Sequence, residues 1–179
     1  HLKVHVTSVT DQWATIALQG PNAKEKVYAA LGENLRVSAG SLKPFHSVMI
    51  GELMIATTGY TGEDGFEIYI PNDAAPAMWA KVLDAGAEFG IKPIGLGARN
   101  TLRLECKMAL YGNDIDELTN PFEAGLGWTV ALGKSDFVGK QVLAAIHEKG
   151  ISRKLVGIEM VGRGIARHDY AIKDHPGSA

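Results

Sequence analysis

The sequence has one cysteine, few aromatic residues, and no long apolar run. With Cys106 alone among 179 residues, an intrachain disulfide and a cysteine cluster for zinc are both excluded. No apolar segment approaches the roughly 20 residues that a membrane span requires, and no secretory signal pattern is visible. The formal net charge of -2 lacks the basic excess of a non-specific nucleic-acid binder. We therefore expect an intracellular protein that binds neither nucleic acid nor membrane.

Familiar catalytic signatures are missing as well. The sequence contains no Walker phosphate loop, no His-Glu-x-x-His zinc helix, and no Gly-x-Ser-x-Gly elbow. Gly95 and Gly97 lack the third glycine of a dinucleotide fingerprint. A chain that is 46% hydrophobic and 21% charged is nevertheless typical of a globular protein with a buried core. Any site is therefore expected to consist of scattered polar residues.

Alternation and turn residues in the first hundred residues predict several strands and helices, among which the order strand, helix, strand, strand, helix occurs with further strands around it. The predicted strands are Lys3–Val9, Trp13–Leu18, Ser47–Ile50, Leu53–Thr58 and Phe66–Ile70. The predicted helices begin at Pro21, at a cap provided by Asn72 or Asp73, and at Gly95. This order fits a ferredoxin-like unit of the α+β class.

The rest of the chain is predicted to be less regular. An irregular stretch from Tyr111 to Gly127 precedes a strand at Trp128–Ala131 and a helix at Gly139–His147. A further strand at Lys154–Met160 follows a polar break that ends at Gly150. We therefore predict one domain over residues 1–150 and the start of a second over residues 151–179.

Glu67 is the residue that the pattern makes most suspicious. It shares one face of a short apolar strand with Tyr69, while Phe66, Ile68 and Ile70 share the other. A carboxylate is disfavoured there unless that face is wet or the carboxylate has a partner. The partner is either an arginine, Arg99 or Arg103, or a ligand that presents two parallel N–H groups.

The loop before this strand places three glycines within seven residues, Gly59 to Gly65. Such a loop is either simply solvated or a tight connection in which backbone approaches backbone or a ligand.

Arg99, Arg103 and Lys107 recur every four residues, so we expect them on one side of a helix whose remaining surface is buried by leucines. The two arginines are either solvated or hold a substrate carboxylate.

Three further features have ordinary explanations beside functional ones. Cys106 is predicted to be a buried small residue rather than a nucleophile. Trp128 is either a core residue or an aromatic platform for a flat ring. An acidic cluster after Gly112 has carboxylates for a cation but lacks the ligand order of an EF-hand, so no metal site is predicted. The cluster consists of Asn113, Asp114, Asp116 and Glu117.

Three long motifs in this order resemble the T-protein family of the glycine cleavage system. They are Ala56–Ile68, Gly95–Glu105 and Leu110–Asp116, with smaller matches at Gln19-Gly20-Pro21 and Gly127-Trp128-Thr129. The similarity extends from about Val4 to about Ile172. The resemblance implies a folate-binding α+β domain followed by the start of a C-terminal β-barrel domain.

The resemblance also implies an activity. T-proteins are tetrahydrofolate-dependent aminomethyltransferases, which take the aminomethyl group from the lipoyl arm of the H-protein and release ammonia. Tetrahydrofolate would be the co-substrate and the lipoylated H-protein the partner. The location would be cytoplasmic, or the mitochondrial matrix in a eukaryote.

Residue roles follow from the same resemblance. The pterin-binding glutamate of the family corresponds to Glu67, and its substrate-contacting arginine corresponds to Arg99. Folate contacts fall on Trp128 and Arg167. Tyr60 and Arg103, which lie within the matching motifs, are expected to be further substrate or folate contacts. The family's catalytic aspartate belongs to a part of the protein outside this chain, so the chain alone is expected to be inactive.

Two alternatives share the same folate-binding domain. The segment Val6–Thr15 is similar to enzymes that oxidise sarcosine or dimethylglycine, which carry a flavin domain. A non-catalytic folate-binding module is the other alternative, although the lysine-glycine-cysteine signature of such tRNA-modification relatives is not found around Cys106.

Overall fold

The alternating residues around Glu67 lie in an antiparallel sheet of four strands ordered β1-β4-β3-β2. The strands are β1 (Trp13–Gln19), β2 (Ser47–Ile50), β3 (Leu53–Ala56) and β4 (Gly65–Pro71). The computed structural model describes residues 3–24, 28, 31–167 and 170–173. Two compact units divide the chain, His1–Ala109 and Leu110–Ala179, and the sheet belongs to the first.

The hairpin β2–β3 confirms the prediction from its two-residue turn. Gly51, the first turn residue, has a φ of +62°, which is the left-handed conformation that glycine tolerates without a steric penalty. Ile50 pairs with Leu53 directly across that turn. The register of the hairpin is thereby fixed, and β3 then pairs with β4.

One face of the sheet forms the core of the first unit. Phe66, Ile68 and Ile70 of β4 are buried, as the alternation predicted, and Tyr28 packs its ring against Phe66 with the centroids 4.3 Å apart. The other buried members are Ile16, Leu18, Ala23, Leu31, Ala39, Ile55 and Val82. Two residues of the helix predicted after Pro21, Val27 and Ala30, lie outside the described residues.

Helix α1 (Glu33–Ala39) and helix α2 (Ala75–Gly86) follow β1 and β4. Val82 of α2 is buried against the core. The predicted side-chain cap of α2 is wrong: no side chain caps the helix, and proline lies in its first turn instead. The Asn72 amide donates to the carbonyl oxygen of Asp11 at 2.6 Å, so this side chain joins the segment before β1 to the end of β4.

The sequence predicts a helix over Gly95–Ala109, whereas helix α3 covers only Leu96–Glu105 and buries a different face from the one predicted. Leu96 is 80% exposed and Leu104 is also exposed, whereas Arg103 is only 2% exposed. Lys107 adopts a left-handed φ of +58° after the helix, so it does not continue the line of Arg99 and Arg103. Cys106, which was predicted to be buried, is exposed. Polar contacts rather than leucine packing therefore hold this helix.

In the second unit, the irregular stretch and helix α4 (Lys140–Lys149) confirm their predictions. The predicted strand at Trp128–Ala131 is wrong. Residues Gly127–Thr129 instead form a 3-10 turn, in which the Thr129 hydroxyl donates to the carbonyl oxygen of Leu126 at 2.8 Å. This local hydrogen bond competes with strand formation.

The predicted strands Lys3–Val9 and Lys154–Met160 are also wrong. Both segments are exposed and irregular, and neither pairs with another strand among the described residues. β-Branched residues favour a strand only when a neighbouring strand provides hydrogen-bond partners and a surface to pack on. Within residues 3–24, 28, 31–167 and 170–173, no helix is long and apolar enough to cross a membrane.

Tyr28 makes the stability of the first unit sensitive to alkaline pH. Burial raises its pKa from the ordinary 10.0 to about 12. The neutral phenol therefore contributes its full stability below pH 10, and this contribution is lost as the pH rises towards 12. At pH 11, midway between the two pKa values, about 1–1.5 kcal/mol of this contribution has been lost, and we expect Tyr28→Phe to remove that part of the decline.

The measurement is urea unfolding at pH 7 and at pH 11, with Tyr111→Phe as the matched control because Tyr111 is exposed. The same decline between the two pH values in the parent, the control and Tyr28→Phe would contradict the assignment.

Candidate functional site

Glu67 projects from the face of β4 opposite the core. Its neighbours across the sheet are Ala17 of β1 and Ala56 of β3, so only small side chains flank the carboxylate. The Thr58 hydroxyl donates to Oε2 of Glu67, and the Tyr69 hydroxyl donates to the same oxygen at 3.3 Å. Among the described residues no arginine forms an ion pair with this carboxylate. Of the two partners that the sequence left open, the arginine is thus excluded.

The glycine loop, residues Gly59 to Gly65, is fastened to β1 by the side chain of Gln19. The Gln19 amide nitrogen donates to the carbonyl oxygens of Thr58 at 3.1 Å and Phe66 at 3.2 Å. Its amide oxygen accepts from the Thr61 hydroxyl at 3.4 Å. One side chain therefore holds both ends of the loop and its middle.

Close approach explains why this loop needs glycine. A Cβ added at Gly59 would lie 2.2 Å from Oε1 of Gln19, and one added at Gly65 would lie 2.2 Å from the carbonyl oxygen of Leu18. The loop is thus a tight connection rather than a loosely solvated one. The role of Gln19 was missed from the sequence. Its only signal was an amide at the end of a strand near the glycines.

Tyr60 connects the loop to the end of α3. Its hydroxyl donates to the carbonyl oxygen of Ala109 at 2.5 Å, and the guanidinium carbon of Arg99 lies 4.6 Å from the centre of its ring. A cation at that distance over an aromatic face is attracted by the ring quadrupole. Tyr60 and Arg99 are therefore in contact, and Arg99 remains exposed.

Arg103 supports the same region from inside. Its Nε and Nη2 atoms donate to Oδ1 of Asn100 at 3.0 and 2.7 Å, and Nη1 donates to the carbonyl oxygen of Met108 at 3.1 Å. The amide of Met108 donates in turn to the carbonyl oxygen of Arg103 at 2.9 Å. These contacts fix the segment on which Tyr60 is anchored, a role that the regular spacing of the arginines did not indicate.

The electrostatic character of the site is shown by Tyr69. Its pKa is raised by burial first, and then by the negative charge of Glu67 and the hydrogen bond to it. The phenol therefore remains a neutral donor through the physiological range. The first unit thus presents a carboxylate with two hydroxyl donors, and the exposed guanidinium of Arg99 lies over the ring of Tyr60.

Trp128 and Arg167 belong to the second unit, where both side chains are exposed, Trp128 to 81%. Their folate contacts therefore stay predictions.

In the same unit the acidic cluster forms local turns. Asp116 Oδ1 accepts from the Leu118 amide at 2.9 Å and from the Thr119 hydroxyl at 2.8 Å. These bonds lower the pKa of Asp116, the hydroxyl contributing most.

Residues 1–134 match the family model described as the GCVT N-terminal domain. The chain belongs to this family. Its similarity to individual GCVT-family proteins is close. It is 48% identical over 179 residues to the aminomethyltransferase of Halothermothrix orenii, covering 97% of this chain and 48% of that protein. It is 50% identical over 168 residues to the aminomethyltransferase of Nitrosomonas eutropha, covering 93% of this chain and 44% of that protein.

A solved structure gives the same result. The glycine cleavage system aminomethyltransferase T from Bartonella henselae is similar with a TM-score of 0.71 and 36% sequence identity. The match covers 79% of this chain and 38% of that protein. This GCVT-family chain therefore spans about half the length of the curated relatives that it matches.

The tight loop leads to a prediction for this GCVT-family chain. Gly65→Ala should lower the free energy of unfolding by about 1–3 kcal/mol, because the new methyl group meets backbone that cannot move aside cheaply. The matched control is Gly97→Ala in α3, where an added Cβ has nothing within 4 Å and alanine is the better helix former. Urea unfolding at pH 7 measures both. Equal stability of the two variants would contradict the close approach.

The two arginines should respond differently to lysine. Arg103→Lys is expected to cost about 2 kcal/mol, because one ammonium group cannot reproduce the donors that three guanidinium nitrogens direct to Asn100 and Met108. Arg99→Lys should cost less than about 1 kcal/mol, since its described contact is an exposed cation–π pair. Thermal unfolding measures both. A larger loss for Arg99→Lys would contradict the supporting role of Arg103.

Proposed function

We propose that this chain provides folate-binding residues of a tetrahydrofolate-dependent aminomethyltransferase of the glycine cleavage system. The observation that carries the proposal is Glu67, a carboxylate on the open face of the sheet that has hydroxyl partners and forms no ion pair with an arginine among the described residues. A carboxylate is an acceptor only, so it suits a heterocycle that presents adjacent N–H donors, as a pterin does. The names of the similar proteins support the same activity.

The proposed reaction is a group transfer without net oxidation. The aminomethyl carbon leaves the lipoyl sulfur and forms bonds to two folate nitrogens, while its bond to the amine nitrogen breaks. The two N–H protons of tetrahydrofolate then appear on the released ammonia and on the lipoyl thiol. 5,10-Methylenetetrahydrofolate is the product. The lipoylated H-protein is accordingly the proposed partner.

In this proposal the residues of the first unit have distinct tasks. Glu67 binds the pterin edge, and Arg99 provides a cation for a folate carboxylate or a ring acceptor. Tyr60 keeps Arg99 in place through the contact at 4.6 Å and is itself a proposed folate contact. Arg103 was predicted as a further folate contact, and its bonds to Asn100 and Met108 support an indirect task instead. Trp128 and Arg167 are proposed folate contacts on the strength of the family motif alone.

The finer architecture belongs to the same proposal. We propose a ferredoxin-like folate-binding domain over residues 1–150 and the beginning of a β-barrel domain over residues 151–179. The polar break that ends at Gly150 supports this division. The aminomethyltransferase names of the similar proteins favour glycine cleavage over the sarcosine and dimethylglycine oxidation enzymes that share the folate domain.

Titration of the chain with tetrahydrofolate tests the proposal. Glu67→Gln keeps the shape of the side chain but replaces an acceptor oxygen by a donor, so we expect affinity to fall by about 10- to 100-fold. The matched control is Glu63→Gln in the glycine loop, an exposed residue that should bind like the parent. Calorimetry under anaerobic conditions measures all three affinities. Equal affinity for Glu67→Gln and the parent, or no binding by the parent, would overturn the proposed folate site.

A further inference from the structure

Both hydroxyl donors around Glu67 point at the same carboxylate oxygen. Thr58 and Tyr69 each donate to Oε2. Within the described part of the chain, Oε1 receives no hydrogen bond. Ala17 and Ala56 on the neighbouring strands carry no polar side-chain atom that would reach it. Of the two carboxylate oxygens of Glu67, Oε2 therefore accepts two hydrogen bonds from described residues and Oε1 accepts none.

This asymmetry matters because of the number of lone pairs. A carboxylate oxygen accepts about two hydrogen bonds, so two hydroxyl donors fill Oε2 while Oε1 keeps its capacity. A ligand that presents two parallel N–H groups needs one acceptor site on each oxygen. Such a ligand can bind through Oε1 at once, but it can reach Oε2 only if one hydroxyl moves away.

The two hydroxyls are held unequally. Thr58 is a β-branched residue with few rotamers, and its own carbonyl oxygen is fixed by the Gln19 amide at 3.1 Å. Its hydroxyl donates to Oε2 of Glu67. The Tyr69 bond, at 3.3 Å, is longer than the usual range for hydroxyl donors and is correspondingly weak. Tyr69 is also only half-buried, so water can replace its partner.

We propose that Thr58 is a positioning residue that holds the Glu67 carboxylate by a permanent hydrogen bond, and that Tyr69 is an exchangeable donor that a ligand N–H displaces from Oε2. The inference rests on the proposed function and adds to it. It assigns to Glu67 a ligand with two adjacent donors rather than one. The ordered carboxylate is preorganised for that edge, and only the weaker of its two internal bonds is given up on binding.

Four variants titrated with tetrahydrofolate test this assignment. Thr58→Val removes the hydroxyl at nearly constant shape, so affinity should fall about tenfold or more, whereas Thr58→Ser should restore it to within about threefold of the parent. Tyr69→Phe removes a competitor for Oε2 and should tighten binding by about two- to fivefold. Thr101→Val is the matched control, because its hydroxyl donates to the carbonyl oxygen of Ala98 within α3.

The outcomes separate the inference from the proposed function. Parent-like affinity of Thr58→Val, together with a large loss in Glu67→Gln, would overturn the positioning role of Thr58 and leave the folate site intact. Weaker binding of tetrahydrofolate by Tyr69→Phe would overturn the proposal that the ligand displaces the Tyr69 hydroxyl from Oε2. Failure of Glu67→Gln to weaken binding would overturn both. Thermal unfolding of each variant identifies a loss that comes from misfolding, and rescue by Thr58→Ser identifies the hydroxyl itself.

Discussion

The Gln19 amide bridges β1 and the glycine loop, and much of the site depends on that bridge. Its nitrogen binds carbonyl oxygens on both sides of the loop, at Thr58 and at Phe66. Glycine at positions 59 and 65 leaves the space that the amide and the β1 backbone occupy. Because the carbonyl of Thr58 is fixed in this way, the Thr58 hydroxyl is fixed as well, and with it the direction of the Glu67 carboxylate. A half-buried amide with its hydrogen bonds satisfied gives the site its order.

A second group of contacts joins this loop to α3. The Tyr60 hydroxyl donates to the carbonyl oxygen of Ala109 and Arg103 donates to that of Met108, so two side chains hold one short segment. Arg99 then lies over the Tyr60 ring. The exposed guanidinium and the loop therefore belong to one network within the first unit. The carboxylate and the cation of the proposed folate site come from elements far apart in sequence.

Sequence patterns were informative where the period was simple. The two-residue alternation at Phe66–Ile70 located the core face and the Glu67 face correctly, since strand geometry leaves no other choice. Helix α3 was predicted in the wrong orientation. Leu96, Leu102 and Leu104 do not lie on one face of a helix with 3.6 residues per turn. The burial of Arg103 could not be predicted from the sequence, because it depends on two acceptors, the Asn100 side chain and the Met108 carbonyl oxygen. The strands predicted at Lys3–Val9 and Lys154–Met160 were wrong because strand propensity carries no information about a partner strand.

The exposed leucines of α3 have a thermodynamic consequence. A helix held by directional hydrogen bonds, with little apolar surface removed from water, can detach with only a small change in heat capacity. Such an opening need not involve the sheet, so its free energy can be well below that of global unfolding. Amide hydrogens of Leu96–Glu105 would then exchange with solvent while those of β1 and β4 remain protected. The guanidinium of Arg99 thus stands on a helix that we expect to open before the sheet does.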